Sequence, residues 1–166
     1  MKTCIRTVLC TLTLLVSSGV AWAAPAIEVL GRDYAFPNKL EDLPAKLSDF
    51  KELQINSFTT SDDVKLSYWE AGAGKPLVFI PGWSANGAEY INVMSLLSKH
   101  YHVYVLDPRN QGLSERVEHG MHIARYAMDV KEFGAHLGLK SAYYLGWSMG
   151  ASVTISRSVL PSWKKG

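Results

Sequence analysis

From residue 53 onward the apolar positions follow two rhythms in turn. Residues 53–59 and 64–69 each alternate apolar and polar side chains, the period of a half-buried strand. Thr60-Ser61-Asp62-Asp63 between them is turn chemistry, so an antiparallel hairpin is predicted. Three later stretches, 77–80, 103–106 and 142–145, are short and continuously apolar, as expected of strands covered on both faces. Helical spacing separates and follows them. Tyr90, Val93, Met94, Leu96 and Leu97 mark a helix within 86–100. Ile123, Tyr126, Ala127, Val130, Phe133 and Leu137 mark another within 121–137, with Gly138 as its stop. A third runs over 149–160 until Pro161. This order predicts an α/β domain over 53–166, in which an N-terminal antiparallel hairpin leads into a mostly parallel sheet with flanking helices.

Residues 24–52 lack a sustained period and carry Pro25, Pro37 and Pro44. They read as an irregular lead-in with at most one short helical turn, packed onto the domain through Tyr34 and Phe36. Residues 1–23 have the parts of a cleavable secretory signal: Lys2 and Arg6, an apolar run over 8–16, and Ala21-Trp22-Ala23 with small residues at −3 and −1. The apolar run is shorter than the roughly 20 residues that span a bilayer. Cleavage after Ala23 and a secreted or periplasmic location are therefore expected, with no membrane association afterwards.

The leader changes how composition is read. Both cysteines, Cys4 and Cys10, lie within it, which leaves the mature chain without a disulfide, a thiol nucleophile or a cysteine metal site. Removing Lys2 and Arg6 from the 17 basic residues leaves 15, matching the 15 acidic ones. A neutral chain offers no bulk attraction to nucleic acid. At 166 residues, 48% apolar and 19% charged, it is an ordinary globular protein of about one domain.

The chemistry concentrates where apolar strands end. Gly146-Trp147-Ser148-Met149-Gly150 joins the third such strand to the last helix. A nucleophile on so sharp a strand-to-helix turn needs small residues two positions away on either side, here Gly146 and Gly150, and the helix N-terminus favours negative charge developing at Ser148. The competing reading is a helix-capping serine in a Gly-rich turn. Pro81-Gly82-Trp83-Ser84 follows the first apolar strand, where a tight loop can present a backbone N–H to the same crevice. Residues 107–114 follow the second; Pro108, Asn110 and Gly112 suit a bend that Asp107 and Arg109 can tie together. Trp83 and Trp147 either line a pocket or pack in the core.

Three such loops in this order resemble the α/β-hydrolase family over residues 53–160. The resemblance implies Ser148 as nucleophile and the backbone N–H groups of Trp83 and Met149 as the oxyanion hole. It implies an ester-like small-molecule substrate and no cofactor or metal, and for Asp107 a structural role. Asn110 stands where the family often has glycine, and Pro81 where many members have histidine. Serine rather than aspartate at the elbow argues against the dehalogenase and epoxide-hydrolase branches.

The family's acid and histidine follow the nucleophile in chain order. Residues 151–166 contain no Asp, Glu or His. The chain therefore reads as the N-terminal portion of a hydrolase that ends before its acid and base. The alternative is a catalytically inactive fragment or binding module whose uncovered sheet edge invites self-association. His119 and His122, which follow the Asp107 loop, are the nearest substitutes for the base, although surface or packing roles fit all five histidines better.

Overall fold

The structure is a computed structural model that describes residues 23–36 and 40–159. Residues 1–22, which carry nearly all of the expected leader, and the tail after 159 lie outside the described residues. Six strands form one mixed sheet in the order β1-β2-β3-β5-β4-β6: β1 Ala24–Pro25, β2 Gln54–Thr59, β3 Lys65–Ala71, β4 Lys75–Ile80, β5 Tyr101–Leu106 and β6 Tyr143–Gly146. Among the described residues four α-helices accompany it: α1 Ala26–Leu30, α2 Ile91–Leu97, α3 Ile123–His136 and α4 Met149–Val159.

The hairpin pairs β2 with β3 from Gln54–Glu70 to Thr59–Lys65, and Asp63 adopts a left-handed φ of 61° in its turn. β3 joins β5 antiparallel, and the parallel part is β5-β4-β6. The apolar runs follow from this placement, because β3, β5 and β4 are packed on both faces. Tyr68, Val78, Ile80, Tyr104 and Leu106 face a cluster closed by Tyr126, Val130 and Phe133 of α3 and Val153 of α4. Trp69, Leu77, Val103 and Val105 face the opposite cluster, closed by Ile91 and Met94 of α2.

Two expectations need correction. The lead-in is not simply irregular. Its β1 pairs antiparallel with β2 through Ala24–Ile55 and Pro25–Gln54, α1 follows at once, and Ala26, Leu47 and Phe50 are core residues. A two-residue strand and a five-residue helix are too short to impose a period on the sequence, and β1 is held by backbone pairing. The 142–145 run, in turn, is not a strand buried on both faces. β6 is the edge strand: Tyr144 and Gly146 are half-buried, whereas Tyr143 is 54% and Leu145 43% exposed. Among the described residues α3 and α4 cover one face of β6, and no helix covers the other.

A fully buried guanidinium locks the hairpin to the helical layer. Arg109 donates from Nε and Nη2 to both carboxylate oxygens of Asp129 (2.8 and 2.7 Å) and from Nη1 and Nη2 to those of Asp62 (3.0 and 3.1 Å). Arg125 adds bonds to Asp129 and Glu132, and Glu132 accepts from the backbone N–H and hydroxyl of Ser61. The Asp107 bend was expected to be tied by Arg109. Instead Arg109 reaches away from it, to α3 and the hairpin turn. Burial alone would raise the Asp62 pKa, but hydrogen bonds from Arg109 and Thr60 outweigh it and hold the carboxyl far below its ordinary value.

Removing one partner of such a cluster strands buried charge, so Arg109→Met should destabilise the fold by about 3–5 kcal/mol in urea titration. Because the folded-state pKa of Asp62 is depressed, its contribution is present above the unfolded carboxylate pKa of about 4 and is lost as pH falls. The wild-type urea midpoint should therefore drop below about pH 4, and this acid sensitivity should be weaker in Arg109→Met.

Candidate active site

The helix after β4 lies on one face of the sheet and the helix after β6 on the other, so the chain parts at the C-terminal ends of these neighbouring strands. Such switch points leave a crevice. Three loops meet this edge: 81–86 after β4, 107–122 after β5, and Trp147-Ser148 after β6. Each holds a non-glycine residue in the left-handed region, Ser84 (φ 58°), Asn110 (φ 66°) and Ser148 (φ 52°). Left-handed backbone costs an L-residue roughly 1–2 kcal/mol. Strain of this kind gathers where surrounding structure imposes it.

At Ser148 the imposing structure is plain. Trp147 donates its N–H to the carbonyl of Ile80 (3.1 Å), tying the end of β6 to the end of β4. Gly150 donates to the Trp147 carbonyl (2.8 Å) and Ala151 to that of Ser148 (3.0 Å), so α4 begins without a spacer. A Cβ on Gly150 would overlap the carbonyl oxygen of Ile80, and one on Gly146 would overlap the carbonyl of Gly150. Both elbow glycines are thus sterically required. Gly82 comes close to the same junction: a Cβ added to it would lie 3.2 Å from the Ser148 Cβ and 3.2 Å from Cδ1 of Trp147.

Ser148 is exposed, and its position directly before α4 puts the positive end of that helix beside the hydroxyl. Among the described residues no backbone acceptor takes the N–H of Trp83 or of Met149. Trp83 and Trp147 are 64% and 66% exposed, so core packing does not account for either indole.

Asp107 is fully buried and tied into the bend. Its carboxylate accepts from the N–H of Gly87 (2.6 Å), the N–H of Leu113 (2.9 Å) and Nε1 of Trp69 (3.2 Å). Burial raises its pKa, opposed by these same bonds. Asn110 uses its side chain to accept from the N–H of Val117 (2.7 Å), which suits its left-handed backbone.

Four of the five histidines have contacts elsewhere. His119 lies 3.6 Å from Asp62, and His122 caps α3 by accepting from the Arg125 N–H. His102 bridges Glu70 and Tyr104, and His136 stacks on Phe58. Among the described residues none of these contacts includes Ser148. A cavity of about 750 Å³ opens between the hairpin turn and α3, lined by Phe58, Ser61, Met128 and His136 among others, and it touches none of the loops around Ser148.

Comparison with known proteins agrees with this architecture. Residues 75–154 match the family described as the alpha/beta hydrolase fold. The chain is 33% identical over 93 residues to a non-heme haloperoxidase of Rhodococcus erythropolis, covering 55% of this chain and 34% of that protein. It is 32% identical over 87 residues to a pimeloyl-[acyl-carrier protein] methyl ester esterase of Vibrio cholerae, covering 52% and 32%. Among solved structures, the epoxide hydrolase CorEH is similar with a TM-score of 0.61 at 30% identity, covering 63% of this chain and 37% of that one. Residues 75–154 are thus similar to the α/β-hydrolase fold family, and the mixed sheet with flanking helices matches part of that fold. The chain spans about a third of the length of the curated relatives it matches.

The steric account separates two kinds of glycine. Gly150→Ala should destabilise by about 3 kcal/mol, because backbone must move to admit the methyl. Gly138→Ala, at φ +65° in open space, should cost only about 1 kcal/mol. Ser148→Gly should raise stability by about 1 kcal/mol by relieving the left-handed backbone. Urea midpoints of the three variants test this ordering.

Proposed function

We propose that the chain carries the nucleophile portion of a serine hydrolase acting on an ester-like carbonyl substrate. Ser148 Oγ adds to the carbonyl carbon, and the N–H groups of Trp83 and Met149 receive the oxyanion. The hydroxyl proton passes to a histidine and from it to the departing alcohol. Water then releases the acid and restores the serine. The observation that carries this reading is the exposed Ser148, held in the left-handed region at the strand–helix junction directly before α4. The match to an esterase of Vibrio cholerae favours an ester. The epoxide-hydrolase match is not carried over, because the elbow residue here is serine.

The proton acceptor belongs outside the contacts of the described residues. Without it, catalysis falls by orders of magnitude and only oxyanion-hole assistance remains. The edge of β6, unpaired among the described residues, favours a second reading beside the first: the chain by itself binds rather than turns over, and self-associates through that edge. Export is part of the same proposal, since cleavage after Ala23 would leave Ala24, the first residue of β1, as the first of the mature chain.

Fluorophosphonate labelling followed by mass spectrometry tests the nucleophile. With excess reagent and long incubation, which compensate for the missing proton acceptor, one slowly formed adduct is expected, on Ser148, lost in Ser148→Ala and retained in Ser84→Ala and Ser152→Ala. Labelling that persists in Ser148→Ala, or none in the wild type, overturns the assignment. With p-nitrophenyl acetate the chain alone should give negligible turnover; substantial turnover that depends on Ser148 would mean that a base is already in place.

A further inference from the structure

We propose that Asn86 is a site of spontaneous deamidation, held silent in the folded chain by the hydrogen bond from the Gly87 N–H to the Asp107 carboxylate. The inference stands apart from the reading of Ser148 and needs no catalyst or cofactor. An asparagine followed by glycine is chemically labile, because a neighbour without a side chain lets the next main-chain nitrogen swing onto the carboxamide. Asn86-Gly87 is the one such pair in the sequence. The fold requires it to stay, since a Cβ at position 87 would overlap the Trp69 indole and only glycine fits there.

The step is an intramolecular substitution. The Gly87 main-chain nitrogen, its proton lost to a solvent base, adds to Cγ of Asn86. A C–N bond forms, the Cγ–Nδ2 bond breaks, and ammonia departs with a proton taken from solvent. Water then opens the cyclic imide at either carbonyl and leaves aspartate or isoaspartate, with no change of oxidation state.

In the folded chain each requirement is withheld. Gly87 is buried and its N–H donates to Asp107 Oδ1 at 2.6 Å. The proton is therefore closed off from solvent, and a carboxylate faces the nitrogen that would have to become negative. The carboxamide is held as well. Asn86 Oδ1 accepts from the Ala88 N–H (3.0 Å) and Nδ2 donates to Glu89 (3.3 Å), capping the turn over Gly87–Tyr90. Asp107 is fully buried and also accepts from Leu113 and Trp69, so the lock opens only when the 81–87 segment leaves the bend. Isoaspartate adds a carbon to the main chain just before Gly87 and a new carboxylate near Asp107, and both displace Gly87 from its acceptor. A reversible opening of this loop then becomes a permanent one.

The test incubates the full chain in mildly alkaline buffer, with and without denaturing urea, followed by digestion and mass spectrometry; isoaspartyl methyltransferase marks the isoaspartate. In urea Asn86 should convert, whereas Asn92 before Val93 and Asn110 before Gln111 should stay intact. In the folded chain conversion at Asn86 should be slower by about tenfold or more. Asp107→Ala should lose most of that protection, and Asp107→Asn, which keeps an acceptor oxygen, should retain part of it. Should Asp107→Ala fail to fold, the wild type supplies a second reading. Urea below the unfolding transition should speed Asn86 deamidation and hydrogen exchange of the Gly87 N–H by the same factor. The proposal is overturned by an Asn86 that stays intact in urea or converts equally fast with and without it. A folded Asp107→Ala as slow as the wild type, or deamidation that does not follow Gly87 exchange, overturns it too.

Discussion

There is no space for a side chain between the first turn of α4 and the end of β4. Gly150 lies against the carbonyl of Ile80, and Gly146 lies against Gly150. The strand and the helix can approach this closely only because both residues lack a Cβ, and Ser148 between them is driven to a positive φ. The contact does three things together. It seats α4 over Val78 and Ile80, it sets β6 beside β4, and it turns the Ser148 side chain out of the core. Fold and candidate chemistry therefore share one steric constraint.

The other two loops reach the same edge by different physics. The loop after β4 is brought in by contact, with Gly82 against Ser148, and its far end is tied where Gly87 donates to Asp107. The loop after β5 is held by hydrogen bonds to one buried carboxylate and, beyond it, by the Arg109 cluster. Among the described residues the hydrogen bonds to the Asp107 carboxylate come from two backbone N–H groups and an indole. Arg109 has two carboxylates and serves the hairpin and α3 instead. A bend containing both an acid and a base is thus organised by each separately.

What the sequence made legible follows from how local each determinant is. The hairpin, three strands, three helices and the elbow are written in short periods and in residue types that act on their immediate neighbours; the Gly146 and Gly150 positions and the left-handed Asn110 belong to this class. Arg109 was misassigned because its partners Asp62 and Asp129 are distant in sequence and share no spacing with it. The exposed face of β6 was missed because an apolar run reports hydrophobicity and not whether anything lies on top of it. β1 was missed because backbone pairing over two residues leaves no side-chain signature. Whether Trp83 and Trp147 lay inside or outside was open for a related reason, since an isolated tryptophan in a loop has no period to consult.

Burial is unevenly distributed. β3, β5 and β4 are closed on both faces. At the β6 side and along the three loops, by contrast, apolar surface is left facing outward: Tyr143 and Leu145 on the strand, Trp83 and Trp147 at its end. These are two different surfaces. The strand edge offers backbone donors and acceptors in a row, which suits another strand. The indoles offer ring faces with no backbone ladder, beside a serine held in the left-handed region. The division lies at Gly146, where the last pairing residue of β6 becomes the first residue of the elbow.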